Sequence, residues 1–391
     1  MTAYRRDFLV VLGLAMSPLI ALGYSRFAYA LLLPAMRSEL HWSFTTAGLM
    51  NTVNAVGYLV GALGTAWLAA RVGQRAAFIG ALVVTVIGLA ATAVTTSLDL
   101  LLAARTMLGA AGAVAFVVGG AITSTICRRH LAHQSAVLIG TYFAGGGVGI
   151  VASGFAVPAI LDRQGAPGWQ LGWVALAILA AIGTVAAAWA AYAAPTTAPQ
   201  RGPRRPRPRG LGWLASGYLL FGAGYIGYMT FIVALLTQLG NPPSAITAFW
   251  VLLGVAGSIS GSVWAGLLKT AVGGSAAAVL FVLLAVATGI PAVTAWTPAL
   301  YFSGFLFGLC FLSLVSAVTA AWRDAVRPED TTAAIALLTT VFALGQVVGP
   351  WFTGVLADQS GGLQLGLGIS AGLLLIGAVL CRLQPARVPG A

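Results

Sequence analysis

Charge is what this sequence has least of. Only 7% of its 391 residues are Asp, Glu, Lys or Arg, and eight of those are acids. A soluble domain carries about 25% charged residues, so a water-facing surface over the whole chain is excluded. Cysteine is nearly absent as well: Cys127, Cys310 and Cys381 are far apart and form no CxxC pair. That excludes a disulfide framework and gives no reason to expect a metal site. There are three histidines, His41, His130 and His133, all read as loop residues, so no Ser–His–Asp set can be assembled within an apolar segment. No GxxxxGK[ST] phosphate loop occurs, which removes ATP as the expected energy source. "GGGVG" at 145–149 follows no strand and precedes no acid at the spacing of a dinucleotide site. No cofactor is expected, and the chain is not read as an enzyme.

What remains is apolar. The chain is 59% hydrophobic, and stretches such as "FIGALVVTVIGLAATAV" (78–94) run long and uncharged. About 20 such residues in a helix cross the hydrocarbon of a bilayer. Twelve candidate spans lie near 8–33, 45–69, 76–95, 101–126, 135–160, 171–194, 211–238, 244–268, 276–296, 299–321, 332–357 and 364–381. The first is too long for a signal peptide and lacks a small-residue cleavage site, and it reads as ending near Pro34. The expected class is an all-α polytopic membrane protein.

The basic residues give an orientation. With the N-terminus inside, sixteen of the twenty fall in cytoplasmic segments, five of them in "PTTAPQRGPRRPRPRG" (195–210). The positive-inside rule then puts both termini and this linker in the cytoplasm. The net charge of +12 is explained without nucleic acid. The linker reads as an extended spacer carrying topology charge, with anionic headgroups as its alternative partner.

The linker separates two similar halves, 1–194 and 211–391. "GYLVGALGTAWLAARVG" (57–73) and "GSISGSVWAGLLKTAVG" (257–273) share glycines at 57/257, 61/261 and 73/273. "TYFAGGGVG" (141–149) matches "TVFALGQVV" (340–348), and "GYSRFAY" (23–29) echoes "GYIGYMT" (224–230). Such parallel repeats are a transporter design.

Two six-helix repeats, a basic central loop and three local motifs together resemble the Major Facilitator Superfamily over essentially the whole chain. The family's GxLaDRxGRR loop signature appears as "AWLAARVGQR" (66–75). Arg71, Gly73 and Arg75 match it, while Ala66, Ala70 and Gln74 depart from it. The RxxxG pattern of the fourth helix appears as Arg105 to Gly109, and the glycine-rich fifth helix as "AGGGVG", with Gly145 and Gly149. The start of the first helix further resembles the bacterial YbfB/YjiJ branch. The resemblance implies the twelve-helix fold, a gating role for Arg71, Gly73, Arg75, Gly109, Gly145 and Gly149, and transport. It implies no cargo.

The cargo expectation comes from the residues. All eight acids fall in loops or at span ends, while two arginines, Arg26 and Arg105, lie inside spans of the first half. An arginine at the centre of a membrane helix costs about 2.5–3.5 kcal/mol on insertion scales and usually faces the bundle interior. Arg26 could instead snorkel to the outer headgroups, and Arg105 could brace its helix or pair with Asp99. Asn51, Asn54 and Tyr58 fall on one helix face, and Tyr29 is expected on the face of Arg26. In the second half Tyr225 and Tyr228 belong to an aromatic stripe, and Gln346 stands where the repeat has Gly147. Amides and phenols can orient an anion while a guanidinium supplies charge and a planar fork.

The expected function is secondary transport of a small organic anion, a carboxylate first, by alternating access in a bacterial inner membrane. The protein is expected to act as a monomer with the lipid bilayer and its substrate as partners. A proton-driven exporter of drugs or metabolites is the alternative within the fold, and a transport-dead sensor or scaffold the alternative outside it.

Overall fold

The computed structural model describes residues 3–195, 211–324, 331–359 and 362–384. The Arg/Pro linker at 196–210 lies outside them, as do Arg327, Glu329, Asp330 and Arg387. Among the described residues there is no strand. Twelve helical spans are long and apolar enough to cross a membrane. They are α1 (Ala3–Glu39), α2 (Phe44–Val72), α3 (Gln74–Ala93), α4 (Leu98–Cys127), α5 (His133–Gln164) and α6 (Ala166–Ala193). The second series is α7 (Gly212–Gln238), α8 (Pro243–Thr270), α9 (Ser275–Val293), α10 (Thr297–Trp322), α11 (Leu337–Ala357) and α12 (Gly362–Arg382). In hydrocarbon a backbone polar group must find its partner inside the segment, so apolar runs of this length become helices.

The first span differs from its expected form. It does not stop near Pro34; the helix carries the proline inside it and runs on to Glu39. Its middle, Leu19–Phe27, is π-helical, with the Ala28 amide donating 2.9 Å to the Gly23 carbonyl five residues back. A wide turn absorbs one more residue than an α-turn and shifts the phase of everything after it. His133 likewise lies in the opening turn of α5 rather than in a loop.

The chain gathers into two compact units. One comprises Met1–His41, Val53–Gln200 and Pro242–Ser258; the other comprises Trp42–Thr52, Arg201–Asn241 and Ile259–Ala391. Each is built around a close crossing of glycines against backbone. In the first unit a Cβ on Gly145 would strike the Ala15 carbonyl, and one on Gly149 the Leu19 carbonyl. In the second, Gly345 and Gly349 stand in the same way against the carbonyls of Leu219 and Ala223. Thus α5 lies on α1 as α11 lies on α7, through glycines spaced four apart. Small residues let membrane helices approach this closely, and dispersion between their backbones replaces the hydrophobic drive that lipid cannot supply.

Candidate substrate site

In the first unit the polar residues collect where α1, α2, α4 and α6 meet. Gly109 of α4 crosses α2 so closely that a Cβ would strike the Asn54 carbonyl and approach the Tyr58 amide at 2.8 Å. The crossing brings the side chains one turn away into register. Asn54 Nδ2 donates 3.0 Å to the main-chain carbonyl of Arg105. The Arg105 side chain is 0% exposed, and its Nη1 donates 2.6 Å to the main-chain carbonyl of Ser25 in the π-helical turn. Its guanidinium lies 4.8 Å from the Tyr29 ring centroid and 5.7 Å from that of Trp173. A cation removed from water costs several kcal/mol unless it is matched. The carbonyl bond and the two ring faces offset that cost in the local low dielectric.

Arg26 follows Ser25 directly. It is 4% exposed, and its guanidinium lies 5.1 Å from the centroid of Tyr58. Tyr29, expected on the face of Arg26, has its ring beside the Arg105 guanidinium, while the Tyr58 ring of α2 lies beside Arg26. Of the sequence candidates, this unit therefore brings together Arg26, Tyr29, Asn54, Tyr58 and Arg105. Trp173 and the Ser25 carbonyl are additions that the sequence did not announce.

The second unit holds the other candidates in three separate pairs. Gln346 Nε2 donates 2.6 Å to the Tyr225 hydroxyl. The Tyr228 hydroxyl lies 2.7 Å from Ser303 Oγ, which donates 2.6 Å to the Ala287 carbonyl. Asn51 Nδ2 donates 2.8 Å to Thr230 Oγ1. Asn51 and Asn54, one turn apart on α2, thus serve different units. Stacked rings support these pairs: Phe221, Tyr225 and Phe342 lie within 5.7 Å of one another, and Tyr228 lies 4.1 Å from Phe307. An open depression among Leu239, Pro291 to Ala295 and Gln364 contains none of the candidates.

The motif residues have local tasks. Gly73 turns the chain between α2 and α3 at φ 86°, where an L side chain is strained. Arg75 closes the end of α6: its Nε donates 2.9 Å to the Ala191 carbonyl and its Nη2 2.8 Å to that of Ala194. A cation there satisfies orphan carbonyls at the negative end of the helix. Arg71 lies 5.3 Å from the Trp67 ring. Nearby in this unit, His130 Nε2 meets Asp7 Oδ2 at 2.8 Å.

Among the described residues no group of three or more His, Cys, Asp or Glu could hold a metal ion. Asp358, one residue beyond α11, accepts from the Phe44 and Thr45 amides at 2.9 Å each and from the Thr45 hydroxyl at 2.6 Å.

A family model described as "Uncharacterised MFS-type transporter YbfB" matches residues 18–382. No curated protein matches the chain. Among solved structures, the chain is similar to a bacterial homolog of the human lysosomal transporter Spinster, inward-facing and occupied. The two share 17% identity at a TM-score of 0.74, over 98% of this chain and 97% of that one. It is similar to the nucleoside transporter NupG at 14% identity and a TM-score of 0.71, over 95% and 97%. It is also similar to the human organic anion transporter MFSD10 at 17% identity and a TM-score of 0.62, over 97% and 100%.

Proposed function

Because the chain belongs to the family of MFS-type transporters described by YbfB, we propose that it moves a small organic anion, a carboxylate first, by alternating access. The observation that carries this reading is Arg26, nearly buried mid-span beside Tyr58, while the acids among the described residues all lie outside the spans or near their ends. Such an arginine is costly to keep unless it serves a substrate or a path. Its planar fork matches a carboxylate, and the tyrosine face beside it suits an apolar body. NupG and MFSD10 carry different cargoes by name, and at these identities they speak for fold alone.

We place the protein in a bacterial inner membrane, both termini cytoplasmic, on the distribution of its arginines. The two repeats, 1–194 and 211–391 with the linker between, are its working halves, and a monomer suffices. A proton-driven exporter would need a group that changes charge during the cycle, and the spans offer no acid away from their ends.

The test is transport in proteoliposomes over a panel of carboxylates, amines and nucleosides. Truncating one partner of a buried charged pair costs about 2–5 kcal/mol, so Arg26→Ala should lower carboxylate affinity by roughly 30-fold or more. Arg26→Lys should recover little of it, because a point charge lacks the fork. Full carboxylate transport by Arg26→Ala refutes the reading.

A further inference from the structure

We infer that Arg105 is a positioning residue rather than a second contact for the anion: it holds the wide turn of α1 that carries Arg26. The inference rests on the reading of Arg26 as the anion contact. Three features of the first unit lead to it.

Arg105 bonds to backbone on α1. Nη1 donates to the Ser25 carbonyl at 2.6 Å, whereas the Ser25 hydroxyl, equally buried, has no partner. At Ser25 the guanidinium therefore grips the course of the helix and not the hydroxyl. The carbonyl it grips lies within the π-helical stretch Leu19–Phe27, one residue before Arg26. A π-turn is a strained variant of the α-helix, found where function requires it, and it needs outside support to persist. Two rings lie against the guanidinium, Tyr29 on α1 at 4.8 Å and Trp173 on α6 at 5.7 Å, and limit where it can move.

Arg105 also organises the other side of Arg26. Its own carbonyl receives Asn54 of α2, one turn from Tyr58, the ring beside which Arg26 lies. One residue of α4 thus sets both the helical turn that bears the cation and the helix that bears its aromatic neighbour. If the turn relaxed to α-helix, the phase of Arg26 against Tyr58 would change although its charge would not.

The test uses the full chain in nanodiscs, without ligand, and two readouts. Hydrogen exchange of peptides covering 19–31 reports the turn. Phenylglyoxal labelling, followed by mass spectrometry, reports how Arg26 is presented, with Arg71 as internal reference. Arg105→Lys keeps the charge and loses the fork; Arg105→Gln loses both. Both should raise exchange over 19–31 by roughly tenfold, the scale of one lost charged hydrogen bond. Both should also change the labelling of Arg26 relative to Arg71 several-fold, a shift that loosening of the whole protein would not produce. Ser25→Ala, which keeps the carbonyl, should leave both readouts as in wild type. Should the Arg105 variants fail to insert, Trp173→Leu removes one flanking ring, leaves the guanidinium, and should move both readouts in the same direction. Wild-type exchange and wild-type Arg26 labelling in Arg105→Lys overturn the inference. Failure of the anion reading looks different: benzoate, lactate and succinate would then give Arg26 no protection from phenylglyoxal in the wild type, while the Arg105 variants still shifted exchange.

Discussion

Removing the Asp358 carboxylate should loosen the first turn of α2, a helix that begins 314 residues earlier in the chain. That helix has no acid in its own first turn. Ser43 Oγ accepts from the Thr46 amide, and the two amides before it are met by Asp358, which takes those of Phe44 and Thr45 and the Thr45 hydroxyl. A side-chain cap contributes about 1 kcal/mol, and an anion at a helix N-terminus about 0.3–1 kcal/mol more. Asp358 is exposed, so solvent screens the charge and the lower part of that range applies. Asp358→Ala should therefore cost about 1–2 kcal/mol, or roughly a 5–30-fold rise in local opening. Hydrogen exchange at residues 44–50 measures it, with α9 amides as a reference in the same unit. Asp358→Asn keeps an acceptor and should lose only part. The pH dependence has a definite sign. Burial alone would raise the Asp358 carboxyl, but the bonds from the Thr45 hydroxyl, the Thr45 and Phe44 amides and Ser43 outweigh it and hold it below its usual value. A carboxyl depressed in the folded state stabilises above its unfolded pKa and loses that contribution as pH falls through the folded one. After correction for intrinsic exchange, protection should be level from pH 7 to 5 and fade only below about 4. Unchanged exchange in Asp358→Ala, or a loss already complete at pH 5, refutes the reasoning.

Gly109→Val should cost about 1–3 kcal/mol by forcing α4 off the Asn54 carbonyl, whereas Gly64→Ala, with open space around it, should be neutral or gain up to about 1 kcal/mol; thermal unfolding in one detergent compares them. Carboxylate loaded inside vesicles should accelerate uptake from outside, because arginine keeps its proton and the empty carrier must carry that charge through a closing barrier; equal rates from empty and loaded vesicles refute obligatory exchange.

The architecture was legible because lipid leaves few options. Twelve apolar runs could only be helices, and glycines spaced four apart on α5 and α11 serve close helix crossings. Gly145 and Gly149 against α1, and Gly345 and Gly349 against α7, make the same kind of crossing twice, one residue out of register with the match between 141–149 and 340–348, which pairs Gly145 with Leu344. The boundary misjudged at Pro34 follows from treating proline as a stop. A missing amide and a clash with the carbonyl four residues back kink a helix, but in a membrane the neighbouring helices hold the chain and it continues to Glu39.

The candidate site was legible in kind and not in pairing, for a related reason. Helical periodicity assumes an unbroken 3.6-residue turn, and the wide turn at 19–27 contains Arg26 and ends just before Tyr29. Residues after it are rotated from the faces an unbroken α-helix would give them, and Tyr29 lies beside Arg105. Asn51 and Asn54 share a face by spacing, yet partners 179 residues apart in one case and 51 in the other divide them between the two units. Nothing local encodes a partner at such a distance. What the sequence does encode is the scarcity of acid. With no carboxylate available in mid-span, a buried guanidinium must be matched by carbonyls and ring faces, which neutralise it only in part. Arg105 is held in that way by fixed groups on α1 and α6. An arginine so held has its charge answered by the fold itself, and its place on α4 follows from the groups around it.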